Sequence, residues 1–238
     1  MGAKLMAGNI DLYIIHGWTY KPEPWEDVIL SLWHRHHIKA RLLRVPGLGN
    51  PSKQVFTIKD YMGWAKTEIP KGAIALGHSN GGRILLNILS RDGSDYLSGL
   101  ILLDAAGVYE TSHKRDVSRK LSKMFAPLKR IPYCRKLVHK LLGAGDYENA
   151  PENMKRTLTN MLDSDKRLDF SNVTTPTQII WGEDDDITPL RQGRKMNDML
   201  VNSELTIKAG WRHSRYLVDI DELADEIAIA YRKLKKEQ

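Results

Sequence analysis

The stretch Ala73-Ile74-Ala75-Leu76-Gly77-His78-Ser79-Asn80-Gly81-Gly82 decides how the rest of the chain is read. A short apolar run enters Gly77, and an apolar helical pattern over residues 84–89 leaves on the far side. Together they predict a strand, a sharp turn and a helix, with a serine at the tip of the turn. Gly77 and Gly81 leave room where a Cβ would strike neighbouring backbone. A helix that starts beside Ser79 brings amide groups able to stabilise a developing negative charge. Gly-x-Ser-x-Gly alone is a weak pattern, and it is the strand and helix on either side that give it force. The plainer alternative is a tight turn whose serine is inert.

Outward from this turn, short apolar runs alternate with helical patterns. Strands are predicted over residues 10–15, 38–45, 73–76, 100–103, 177–181 and 204–207. Helices are predicted over residues 25–33, 61–66, 84–89, a segment after Pro189, and 220–234. Alternation of this kind argues for an α/β fold with a mainly parallel central sheet covered by helices on both faces. Ligands of such sheets sit beyond the carboxyl ends of the strands, where Gly17, Ser79, Asp104 and Asp185 all fall. Residues 109–165 break the rhythm with helix-like stretches and no strand, far more chain than a crossover needs. They are read as an inserted helical cap, which leaves 1–108 and 166–238 as the core.

Composition narrows the classes. The 238 residues are 42% hydrophobic and 27% charged, the balance of an ordinary soluble protein with a sizeable core. No run of about 18 apolar residues occurs, so no transmembrane segment is expected. Cys134 is the only cysteine, which excludes an intrachain disulfide. With no secretory pattern at the N-terminus, a cytoplasmic location is expected. There is no zinc-type cysteine pair, and neither metal nor organic cofactor is expected.

With His16-Gly17-Trp18, the segment Gly182-Glu183-Asp184-Asp185 followed by Pro189, and His213, the turn around Ser79 resembles the α/β-hydrolase superfamily from about Asp11 to Tyr231. The anchors are specific for the superfamily and poorly specific for any member. The resemblance departs in two places. The hairpin that often precedes the first strand is expected to be absent, and the loop 46–51 carries Asn50-Pro51 where relatives commonly have a small polar residue.

The resemblance implies roles. Serine is a weak nucleophile until a base takes its proton, and of eight histidines His213 stands where the family places that base. Among the four carboxylates 183–186, the Gly-x-x-Asp spacing with proline four residues on selects Asp185 as the acid. Repulsion within this run favours most of the others turning to solvent but does not identify which one turns inward, so Asp184 and Asp186 stay open beside Asp185. Asp104 is the alternative acid, in a position some relatives use; otherwise it caps Ala105-Ala106-Gly107. Backbone N–H groups of Trp18 and Asn80 are the implied oxyanion donors. The implied activity is hydrolysis of a carboxylic ester or thioester through an acyl-enzyme. Alternatives are a C–C bond hydrolase and a non-catalytic binding module on the same fold.

Other histidines have structural readings. His16 is expected to hold the oxyanion loop, and His78 to face the cap or a neighbouring strand. His34, His36 and His37 lack a nearby carboxylate or thiol in their own stretch, which argues against a metal site. Between residues 109 and 143 stand ten Lys or Arg against only Glu110 and Asp116, interleaved with apolar residues. The plain reading of this basic amphipathic segment is one face over the site and one in water. The functional reading is an anionic substrate, an acidic carrier protein or an anionic membrane as partner. No nucleic-acid recognition motif is present.

Overall fold

A computed structural model of the chain describes residues 9–108 and 150–236. Strands β1 (Leu12–Ile15), β2 (Ala40–Leu43), β3 (Ala73–His78), β4 (Leu97–Leu103), β5 (Thr177–Gly182) and β6 (Ser203–Lys208) form one sheet in the order β2-β1-β3-β4-β5-β6. Every neighbouring pair is parallel. The helices between them are α1 (Pro24–His36), α2 (Ile58–Glu68), α3 (Asn80–Asp92), α4 (Glu152–Ser164), α5 (Leu190–Met199) and α6 (Ile220–Lys236). This is the α/β architecture that the alternation of apolar runs predicts.

The side-chain alternation of a strand decides what each face packs against. On β1, Leu12 and Ile14 point into a cluster with Trp25, Val28 and Leu32 of α1 and Leu223 and Ile227 of α6. Tyr13 and Ile15 point the other way, toward Tyr61 of α2, Ile84 and Leu85 of α3 and Met196 of α5. Both faces are therefore dry, which is why β1 reads Leu-Tyr-Ile-Ile with all four residues buried rather than apolar–polar. A fully buried aliphatic side chain of this kind contributes about 1.5–3 kcal/mol relative to exposure.

Strand order reverses around β1, with β2 on one side and β3 on the other. That switch opens a crevice at the carboxyl ends. Gly17, Ser79, Asp104, Asp185 and His213 all follow strand ends on this side. Of the expected cap, residues 109–149 lie outside the described residues, and with them the ten basic side chains between 109 and 143. The remainder contains α4, clipped onto the loop before α2. The Phe56 N–H donates to Thr157 Oγ1 at 2.9 Å, and the Asn160 amide donates to the Phe56 carbonyl at 3.0 Å.

Candidate active site

Ser79 sits between β3 and α3 with φ 51° and ψ −118°. A non-glycine residue in that region costs of order 1–3 kcal/mol and persists only where its surroundings enforce it. Here the Ser79 N–H donates to the Leu103 carbonyl at 3.1 Å, while the Ser79 carbonyl accepts from Gly82 at 3.0 Å and Ala106 at 2.9 Å. The turn is also pressed against its neighbours. A Cβ on Gly77 would lie 2.5 Å from the Gly82 backbone, and one on Gly81 would lie 2.1 Å from the Ile15 carbonyl oxygen. Glycine is what lets α3 begin directly at the end of β1.

Asp185 lies in the loop after β5 and is buried, whereas Glu183, Asp184 and Asp186 are exposed. Its Oδ1 accepts the backbone N–H groups of Ile187 at 2.7 Å and Thr188 at 2.9 Å. Its Oδ2 lies 2.7 Å from the Thr188 hydroxyl and 2.7 Å from His213 Nδ1. An ionised carboxylate only accepts, so Nδ1 carries the proton and His213 Nε2 is left to accept. Burial pushes Asp185 up, but the bonds from His213 and Thr188 outweigh it and hold the carboxyl below its ordinary range. Thr188, which the sequence reading passed over although it lies between Asp185 and Pro189, is fixed by its carbonyl accepting from Trp181 Nε1 at 2.8 Å.

His78 and His16 buttress this arrangement as neutral rings. His78 Nε2 donates to the His213 carbonyl at 2.9 Å. Its ring centre lies 4.8 Å from that of His213, 5.5 Å from Trp25 and 5.4 Å from Tyr216. The sequence pattern points His78 toward the cap or a neighbouring strand; its partners are His213, Trp25 and Tyr216. Burial, reinforced by His213, brings His78 down to about 3. His16 Nε2 accepts from the Val45 N–H at 3.1 Å, which leaves Nδ1–H to donate to the Gly17 carbonyl at 2.8 Å. Burial brings His16 down to about 4.

Both rings are protonated in the unfolded chain below about pH 6.5 but not in the fold, so each contributes stability that is present above 6.5 and lost as pH falls toward 4 and 3. Asp104 acts with the opposite sign. Its burial, with Asp185 beside it, raises it well above the ordinary carboxyl range, so its contribution grows as pH falls toward 3.8. Two groups against one leave a net loss of stability between pH 6.5 and 5. Urea unfolding at the two pH values measures it, and a protein that gained stability on acidification would show that a ring is charged in the fold.

Ser79, Asn80, His213, Gly17 and Trp18 line one cavity of about 390 Å³, whose apolar wall includes Val108, Leu158, Leu162 and Ile187. Leu158 and Leu162 belong to α4, so this helix covers part of the crevice. At its end Asp165 forms a buried ion pair with Arg83 of α3, Nε to Oδ1 at 2.7 Å and Nη2 to Oδ2 at 2.9 Å, and Arg83 also donates to the Asn80 side chain. The pair was not anticipated; its one signal is a cation preceding the apolar run 84–89. A second groove, about 590 Å³ and open to solvent between α1 and the start of α6, is lined by Asp27, Ser31, Arg35 and Asp221 and holds none of these groups. Of the three clustered histidines, His36 faces Asp225 of α6 at 2.7 Å, a partner remote in sequence.

No family model matches the chain. It is 21% identical to a pimeloyl-[acyl-carrier protein] methyl ester esterase of Pectobacterium atrosepticum, over 93% of this chain and 94% of that protein. Among solved structures it superposes on a putative lipase from Acinetobacter baumannii with TM-score 0.71 at 16% identity, covering 98% of this chain and 86% of that one. It superposes on MenH from S. aureus with TM-score 0.65 at 16% identity, covering 96% of each. The parallel sheet with α3 opening at Ser79, and these likenesses over nearly the whole length, show that the chain has the α/β-hydrolase fold.

Proposed function

We propose that the chain is a serine hydrolase that cleaves a carboxylic ester or thioester, with residues 109–165 as the cap over its site. Ser79 attacks the carbonyl carbon as His213 Nε2 takes the hydroxyl proton. Asp185 holds the ring with Nδ1–H inward and stabilises the imidazolium that forms. Backbone N–H groups of Asn80, at the first turn of α3, and of Trp18 receive the oxyanion. The imidazolium then gives its proton to the leaving alcohol or thiol. Water, deprotonated by the same ring, cleaves the acyl-enzyme and restores the serine. The observation that carries this reading is the 2.7 Å bond between Asp185 Oδ2 and His213 Nδ1, which leaves Nε2 as the acceptor of a ring lining the same cavity as a serine on a strained turn.

The substrate class we infer is an acyl group on an acidic carrier protein. It rests on the esterase named above, which acts on a carrier-bound methyl ester, and on the ten cations against two anions between residues 109 and 143. Opposite charge raises the rate of encounter and is screened by salt.

Intact-mass analysis after a fluorophosphonate probe tests the chemistry. One adduct is expected on the wild type, none on S79A and a rate slowed by about 10³-fold or more on H213A. A folded wild type that takes no adduct would make the chain a binding module. In the same preparation, a methyl ester on an acyl-carrier protein should be cleaved faster than the free ester, with the advantage lost in high salt. Equal rates would remove the carrier from the proposal.

A further inference from the structure

Behind Asp185 stands a second carboxyl. Asp104 follows β4, is fully buried and has φ 44°. Its Oδ1 accepts the Gly182 N–H at 2.8 Å, and its backbone carbonyl lies 3.0 Å from the Thr188 hydroxyl, the same hydroxyl that lies 2.7 Å from Asp185 Oδ2. Its Oδ2 accepts from no donor among the described residues. The titratable groups that face Asp104 are His78 at the end of β3, Asp185 after β5 and His213 after β6.

The nearby donors are committed. His78 Nε2–H points to the His213 carbonyl, His213 Nδ1–H points to Asp185, and Thr188 has one hydroxyl proton for two oxygens. A buried carboxylate oxygen with no donor is costly, and two adjacent carboxylates do not both stay ionised. A proton on Oδ2 resolves both problems, because the neighbouring Asp185 carboxylate is an acceptor. The donors decide which carboxyl keeps the charge. Asp185 has two backbone N–H groups, a hydroxyl and an imidazole, against one backbone N–H for Asp104.

We propose that Asp104 is a positioning residue: a neutral carboxylic acid whose Oδ2–H donates to Asp185 and steadies the carboxylate that orients His213. Gly182 N–H on Oδ1 sets the carboxyl plane, and the buried turn at Asp104 aims it. Asp104 thus acts through the acid rather than in its place. The inference rests on the reading of Asp185 as the acid.

The test compares wild type, D104N and D104L. Asparagine keeps both bonds, with Oδ1 to Gly182 and an amide N–H in place of the O–H; leucine keeps neither. A carboxylic-acid carbonyl band in the infrared spectrum of the wild type at pH 7, lost in D104N, is expected. D104L should lose kcat/KM by about 30-fold, the amide of D104N should restore most of that, and the acid limb of its pH–rate profile should stay in place. The stability lost between pH 6.5 and 5 should be larger in D104N than in wild type, because the opposing proton uptake is gone. The infrared and stability readings need no turnover, so they judge Asp104 even if no ester is cleaved. Absence of the band, an acid limb lowered by about one unit in D104N, or an unchanged pH dependence of stability would each overturn the proposal by showing an ionised Asp104.

Discussion

Replacing Asp185 by asparagine is expected to lower kcat/KM for an activated ester by about 10⁴-fold while leaving the protein folded. The size of the effect follows from where an amide must place its two ends. Asp185 Oδ1 accepts two backbone N–H groups, from Ile187 and Thr188, so the oxygen of an asparagine is held on that side. Its NH₂ group is then turned toward His213. An N–H donor opposite Nδ1 stabilises the tautomer with the proton on Nε2, and that ring has no lone pair to accept the Ser79 proton. Kinetics across pH 6–10 with a p-nitrophenyl ester, beside a melting curve for D185N, measure the loss. A decrease smaller than about tenfold would hand the acid's role to Asp104.

Gly81→Ala should cost about 3 kcal/mol or more and lower the melting temperature by roughly 10 °C. The added Cβ would stand 2.1 Å from the Ile15 carbonyl oxygen, 2.7 Å from its carbon and 3.1 Å from the His16 oxygen. All three are backbone atoms, and none belongs to a side chain that can rotate away. Ile15 cannot withdraw, because β1 is paired on both sides, with Leu43 and with Gly77. The start of α3 would have to lift from the sheet and take Ser79 with it. Gly63→Ala is the control: nothing lies within 4 Å of the new Cβ in the middle of α2, and helix propensity favours alanine by up to about 1 kcal/mol. Thermal unfolding of the pair separates close packing from a general intolerance of glycine replacement. Similar melting temperatures for both variants would refute the packing argument.

Much of the fold was legible because both faces of the sheet are covered. Buried parallel strands leave apolar runs that need no partner to be recognised, and all six were read. Their ends were less visible. The run 38–45 is continuous in composition, yet β2 stops at Leu43, because the Val45 N–H turns to His16 instead of joining the ladder. The strand predicted over 100–103 starts earlier, at Leu97, and Gly99 lies inside β4, where a Cβ would meet Leu234 of α6 at 3.1 Å. Helix α2 begins three residues earlier than its apolar pattern suggests, fixed by the reciprocal Thr57–Asp60 capping box.

The site divides in the same way. The carboxyl that meets His213 is the one chosen by its spacing from Gly182 and Pro189, since a loop of fixed length turns one residue inward and leaves the flanking acids exposed. Thr188, the Arg83–Asp165 pair and the contacts of His78 with Trp25 and Tyr216 join segments remote in sequence. Their partners become neighbours only once strand order is known, and no local pattern encodes that order.

Parallel pairing also sets the order in which the chain becomes competent. Neighbouring strands that run the same way cannot be joined by a two-residue hairpin, so each must wait for a returning crossover. During synthesis Ser79 emerges with β3, Asp185 after β5, and His213 only after β6. A growing chain that has already made its elbow therefore holds Ser79 without its proposed proton acceptor until the last strand docks.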